Sequence, residues 1–203
     1  MNLRILDGFS LPLLSMKFRL GGIELFLGYE AAAALTAALL LDHSGTVLCC
    51  FFAAVMHECG HLLMMRLFCC RLRSISITLF DVKICADEPK SVGADAMIAS
   101  AGVMTNFFFA AVCYPFLPMM SLSHLAIGIF NLLPMDSLDG GRLLLLWLTR
   151  RLSAFAAERI LKAVTFVFLT PILCCGIYVL LHTKYNYSLL AVSLYLLTVL
   201  LLQ

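Results

Sequence analysis

Residues 56–62 read Met-His-Glu-Cys-Gly-His-Leu, an HExxH arrangement. On a helix, positions four apart stand one turn apart on one face, so His57 and His61 can offer imidazole nitrogens to one metal ion. Glu58 then lies beside the ion's open position, where a general base is useful. With five His and five Glu in 203 residues, chance supplies the pattern about 0.003 times, so coincidence is a weak rival. The surroundings sharpen the reading. Phe51, Phe52, Leu62 and Leu63 flank the motif, and a charged group at mid-bilayer costs roughly 2–3 kcal/mol, which makes such residues functional by default.

Zinc that activates water needs a third protein ligand and keeps a fourth place open. The stretch from Asn131 to Arg142, NLLPMDSLDGGR, offers two carboxylates. Asp139 precedes two glycines, which permit a bend or close backbone approach. Asp136 competes with it on spacing, and an ordinary turn at a helix end would have much the same composition. His43, His124 and His182 fall at expected outer helix ends and read as solvated. Glu24 and Glu30 read as interfacial.

The elements that must position these groups are apolar. Hydrophobic residues make up 63% of the chain and charged ones 13%, against about 25% charged in an ordinary soluble domain. A membrane protein follows, expected to be one domain over residues 1–203 without room for a sizeable soluble module. A net charge of +2 gives no argument for nucleic acid. The nine cysteines form no CxxC pair and read as reduced, space-filling thiols. The first twenty residues mix Arg4, Asp7, Lys17 and Arg19 with apolar side chains, a poor match to a removable signal.

Apolar runs predict about six crossings, near 22–41, 46–68, 94–117, 122–148, 163–181 and 187–203, in an all-α polytopic fold. A cytoplasmic N-terminus places all but Lys184 of the 14 Lys and Arg at the inner side, in accord with the positive-inside rule. Two segments depart from plain spanning helix. Ser74 to Phe80 alternates polar and apolar residues and is followed by Val82 to Ala86, which predicts a short β-hairpin near 72–87. The 122–148 run contains Asn131, Pro134, Asp136, Asp139, Gly140 and Gly141, which predicts a broken fourth helix facing protein or water.

HECGH followed by NLLPMDSLDGGR resembles the site-2 protease family of intramembrane metalloproteases, whose pattern is HExxH and then N-x-x-P-x(4)-D-G. Ser100 to Asn106, SAGVMTN, is similar to the family's A-G-P-x-x-N element, with Val103 where Pro is usual, so the resemblance spans about residues 46–150. Within the family it is nearest the short sporulation proteases of the stage IV type, here without a regulatory CBS domain. The resemblance implies that His57, His61 and Asp139 hold one zinc ion and that Glu58 is the catalytic base. It also implies that Asn131 orients substrate or stabilises the oxyanion. Asp136 receives no catalytic role.

The implied function is hydrolysis of a peptide bond in or near the transmembrane segment of a membrane-tethered protein, such as a sporulation or signalling pro-protein. The active site would face the cytoplasmic side of a bacterial cytoplasmic or sporulation-derived membrane, with lipid as solvent and room for regulatory membrane proteins. A substrate helix must unwind before attack, and Ser74 to Phe80 is a plausible edge for adding its extended segment, as against a hairpin that only packs over helix ends. The rival function is a membrane metal transporter, which generally needs repeated halves with ligands in each. Here the His pair occurs once.

Overall fold

The structure is a computed structural model that describes residues 15–20, 22–78, 82–87, 89, 91–184 and 188–202. The chain divides into two compact units, one formed by residues 1–47 and 70–88 and the other by 48–69 and 89–203.

The first unit holds a four-stranded sheet, which corrects the all-α expectation. Strands β1 (Ser15–Leu20), β2 (Ile23–Gly28), β3 (Leu72–Ile77) and β4 (Val82–Ala86) lie in chain order across it. β1 and β2 are antiparallel, with Leu20 opposite Ile23, and Gly22 takes φ +92° in the turn between them, a backbone that L side chains rarely adopt. Lys17 bridges to Glu24 across this pair at 2.9 Å. β3 and β4 form the expected hairpin, whose connecting residues 79–81 lie outside the described residues.

The hairpin does not stand alone. β3 also pairs in parallel with β2, Glu24 opposite Ser74 through Leu27 opposite Ile77. The backbone of this part of the predicted Ser74–Phe80 edge is thus engaged on both sides, and the sheet's outer strands are β1 and β4. The first expected crossing is shortened by the same pairing. β2 takes residues 23–28, and the helix that follows, α1 (Tyr29–Leu41), has 13 residues. At 1.5 Å per residue it spans about 20 Å, short of a hydrocarbon core of about 30 Å.

The second unit is helical. α2 (Thr46–Leu67), α3 (Val92–Cys113) and α6 (Ala154–Thr183) are the three helices, among the described residues, long and apolar enough to cross a membrane, and the six expected crossings are not all shown. Leu63, Met104, Phe108, Phe166 and Val167 are exposed along them, which suits hydrocarbon as solvent. Ser91 caps α3 and Ser153 caps α6, each side chain accepting a backbone N–H from the first turn.

The 122–148 run is divided. α4 (Pro118–Asn131) opens on a proline, whose missing N–H costs nothing in a first turn, and α5 (Asp139–Leu148) begins after a seven-residue connection. The connection is seated on α6 and on α7 (Ser188–Leu202). Met135 is fully buried against Leu169 and Leu196, and the Asp136 N–H donates to Thr165 Oγ1 at 3.0 Å.

Candidate metal centre

Helix α2 buries one face, Ala53, His57, Gly60 and His61. These positions follow the i, i+4, i+7, i+8 pattern of a helix stripe, so the two imidazoles point the same way. Helix α3 lies against them and supplies small residues and polar groups from its own buried face. A Cβ on Gly60 would run into Thr105 Oγ1 and stand 2.9 Å from the Ala101 carbonyl oxygen. The fourth position of the HExxH element therefore has to be glycine for the two helices to approach as they do.

Asp139 sits in the first turn of α5, where the helix dipole favours a carboxylate. Its Oδ2 lies 3.0 Å from His57 Nε2 and 3.1 Å from His61 Nε2, and the two Nε2 atoms are 3.1 Å apart. The three donors form a nearly equilateral triangle. Bonds of about 2.0–2.1 Å to a tetrahedral zinc ion imply donor separations of about 3.3 Å, so small relaxations separate this triangle from a loaded one. His57 and His61 are buried and Asp139 is half-buried.

Two further observations show that the residues fit a metal. The His61 Nδ1–H donates to the Ile98 carbonyl oxygen at 2.8 Å. A carbonyl can only accept, so Nδ1 carries a proton, and in the neutral ring it is Nε2, the nitrogen that faces His57 and Asp139, that offers a lone pair to a metal. Gly102 of α3 faces the pair directly. A Cβ there would lie 2.6 Å from His57 Cε1 and 2.7 Å from His57 Nε2, and closer still to His61 Nε2. Space beside the ligand atoms is kept by the absence of a side chain.

The remaining residues singled out from sequence fall as follows. Glu58 follows His57 on α2 and is half-buried. Asn131 ends α4, half-buried, with Nδ2 donating back to the Ile127 carbonyl at 3.1 Å. The glycines after Asp139 pack on backbone: a Cβ on Gly140 would meet the Leu132 carbonyl and one on Gly141 the Met135 carbonyl. Arg142, one turn beyond Asp139, bonds Asp95 of α3 at 2.6 Å.

His124 corrects the expectation of a solvated outer residue. It is 2% exposed, its Nδ1 lies 3.0 Å from Asn106 Oδ1, and its ring stacks on Phe109. Asn106, 0% exposed, places Nδ2 3.1 Å from His57 Nδ1. A polar line thus runs from α4 through α3 to a member of the metal cluster. Its signal in the sequence was the repeat of small or polar residues at 121, 124, 128 and 131, one face of a helix. His43 and His182 are exposed, as expected.

Residues 115–173 match the sequence profile of Peptidase family M50. The chain superposes on a site-2 protease from Methanocaldococcus jannaschii with a TM-score of 0.68 and 21% identity, over 90% of this chain and 91% of that one. The fold is that of a site-2 protease. No curated protein matches the sequence.

Proposed function

We propose that this chain is an intramembrane zinc metalloendopeptidase that cuts a membrane-tethered protein in or near its transmembrane segment. The observation that carries the reading is the convergence of His57, His61 and Asp139 donors beside Gly102, within a site-2 protease fold. Two imidazole nitrogens and one carboxylate oxygen are a donor set suited to zinc that retains an open position. Zinc, when bound, supplies Lewis acidity that makes water a nucleophile near neutral pH and polarises the substrate carbonyl.

The chain's own residues do the rest. Glu58 takes the proton of the attacking water and returns it to the departing amine. The Asn131 amide, released from Ile127, orients the substrate or donates to the developing oxyanion. The apolar helix surfaces are the lipid-facing exterior, and the breaks around Pro134 supply the water path toward the cytoplasmic side. The resemblance to stage IV sporulation proteases supports a sporulation or signalling pro-protein in a bacterial membrane as the substrate.

The test is purified protein with a panel of membrane-tethered substrates, comparing the native chain with Glu58→Gln. Cleavage lost with zinc retained is the expected result. Cleavage that survives in the variant would overturn Glu58 as base, and zinc flux into vesicles that persists in it would favour the transporter.

A further inference from the structure

His57 and His61 differ in what holds their far nitrogens, and the difference matters for loading the site. His61 Nδ1 meets the Ile98 carbonyl, a fixed acceptor, so its tautomer is the same with or without metal. His57 Nδ1 meets an amide, which can present either end. In this structure Asn106 Nδ2 donates to His57 Nδ1, so the neutral ring carries its proton on Nε2, toward Asp139, and Asn106 Oδ1 accepts from His124 Nδ1–H. That arrangement is self-consistent but closed to coordination. A neutral imidazole that binds metal through Nε2 must carry its proton on Nδ1.

We propose that Asn106 and His124 are positioning residues that switch the tautomer of His57 when metal binds. Rotation of the Asn106 amide by half a turn brings Oδ1 to accept from His57 Nδ1–H and turns Nδ2 toward His124 Nδ1, which must then accept. His124 consequently moves its own proton from Nδ1 to Nε2. Burial makes the three changes obligatory together, because an unmatched donor pair or acceptor pair in this interior would leave polar groups unsatisfied. The amide has little room to answer by shifting. Gly128 holds α4 so close that a Cβ there would stand 3.2 Å from Asn106 Cβ, and the Phe109 ring stacks on His124 with centroids 5.4 Å apart.

This inference rests on the proposed metal site and is tested with zinc alone, without substrate. In native protein carrying 15N-labelled histidine, His124 is expected to be protonated at Nδ1 without zinc and at Nε2 with it, while His61 stays protonated at Nδ1. A His124 tautomer unchanged by zinc would overturn the proposal. Chelator competition supplies the second readout. Asn106→Leu, similar in size but without hydrogen bonds, should lower zinc affinity on the order of 10- to 100-fold, the usual cost of losing a ligand's outer partner. Asn106→Asp should restore most of it, since a carboxylate accepts from both rings. His124→Phe should weaken binding in the native background and have no further effect in Asn106→Leu. Native affinity in folded Asn106→Leu would overturn the relay alone, whereas failure of the native chain to bind zinc would overturn the metal-site reading and the relay with it.

Discussion

Replacing Gly102 by alanine adds one methyl group and should disable the metal centre without unfolding the protein. The new Cβ would stand 2.6 Å from His57 Cε1 and 2.7 Å from His57 Nε2, with His61 Nε2 nearer. Ordinary carbon contacts lie at about 3.5–4.0 Å, so the rings or the α3 backbone must give way by about 1 Å. Metal–ligand distances tolerate about 0.2 Å, and displacements near 1 Å cost on the order of 100-fold where geometry governs the chemistry. Zinc affinity should therefore fall about 100-fold or more, read by competition with a chelator of known affinity. Circular dichroism and thermal unfolding of the metal-free protein should show helices retained. Gly60→Ala is the contrasting control. Its Cβ meets Thr105 and the Ala101 carbonyl, so it separates α2 from α3 and should cost stability, by roughly 1–3 kcal/mol as for other overpacked sites. A Gly102→Ala protein that binds zinc as the native chain does would refute the claim that this glycine keeps space for the ligands.

Other substitutions separate the two acidic candidates and probe the supports. Asp139→Asn should weaken zinc binding by at least an order of magnitude because a neutral amide is a poorer ligand, whereas Asp136→Asn should leave zinc content unchanged; metal analysis after dialysis distinguishes them. Arg142→Ala removes a partly exposed ion pair with Asp95 and should lower the unfolding free energy by less than about 1 kcal/mol. Asp42, outside the spanning helices, should give a local acid transition. Its carboxyl is held below the usual range first by the Ser44 hydroxyl, then by the Ser44 and Val47 backbone N–H groups. Because the folded form prefers the anion, the contribution is present above the unfolded carboxyl value, about 4, and is lost as pH falls through the lower folded value. The hydrogen-exchange protection factor at Val47, taken against the intrinsic rate at each pH, should fall in acid, and Asp42→Asn should abolish that dependence.

The metal cluster was legible because its rules are local or chemically narrow. A four-residue spacing on a helix fixes the relation of His57 to His61. The carboxylate among the helix breakers could be narrowed to two residues from composition, and the resemblance pointed to Asp139, the one that the fold carries to the imidazoles. The sheet was less legible. β1, Ser-Met-Lys-Phe-Arg-Leu, alternates as the β3–β4 hairpin does yet is not among the strands expected, whereas β2, Ile-Glu-Leu-Phe-Leu-Gly, is apolar enough to merge with the helix after it. Its parallel partner lies some fifty residues on, and no local period records such a pairing. Gly22, beside another glycine between two apolar runs, was the available turn signal. His124 was misplaced for a related reason. Hydropathy locates the end of a helix in the bilayer but is blind to which face turns inward, and burial here follows the face.

The seating of Met135 carries a consequence for biogenesis. The loop that delivers the carboxylate is sealed from behind by Leu169 and by Leu196, and Leu196 belongs to α7. During synthesis the imidazoles emerge well ahead of α7, so the surface on which the third donor is braced does not exist until the chain has been extended past Leu196. A nascent protein at that stage has its nitrogen donors without a firm oxygen one, so the centre is completed late, after the flanking helices have been made.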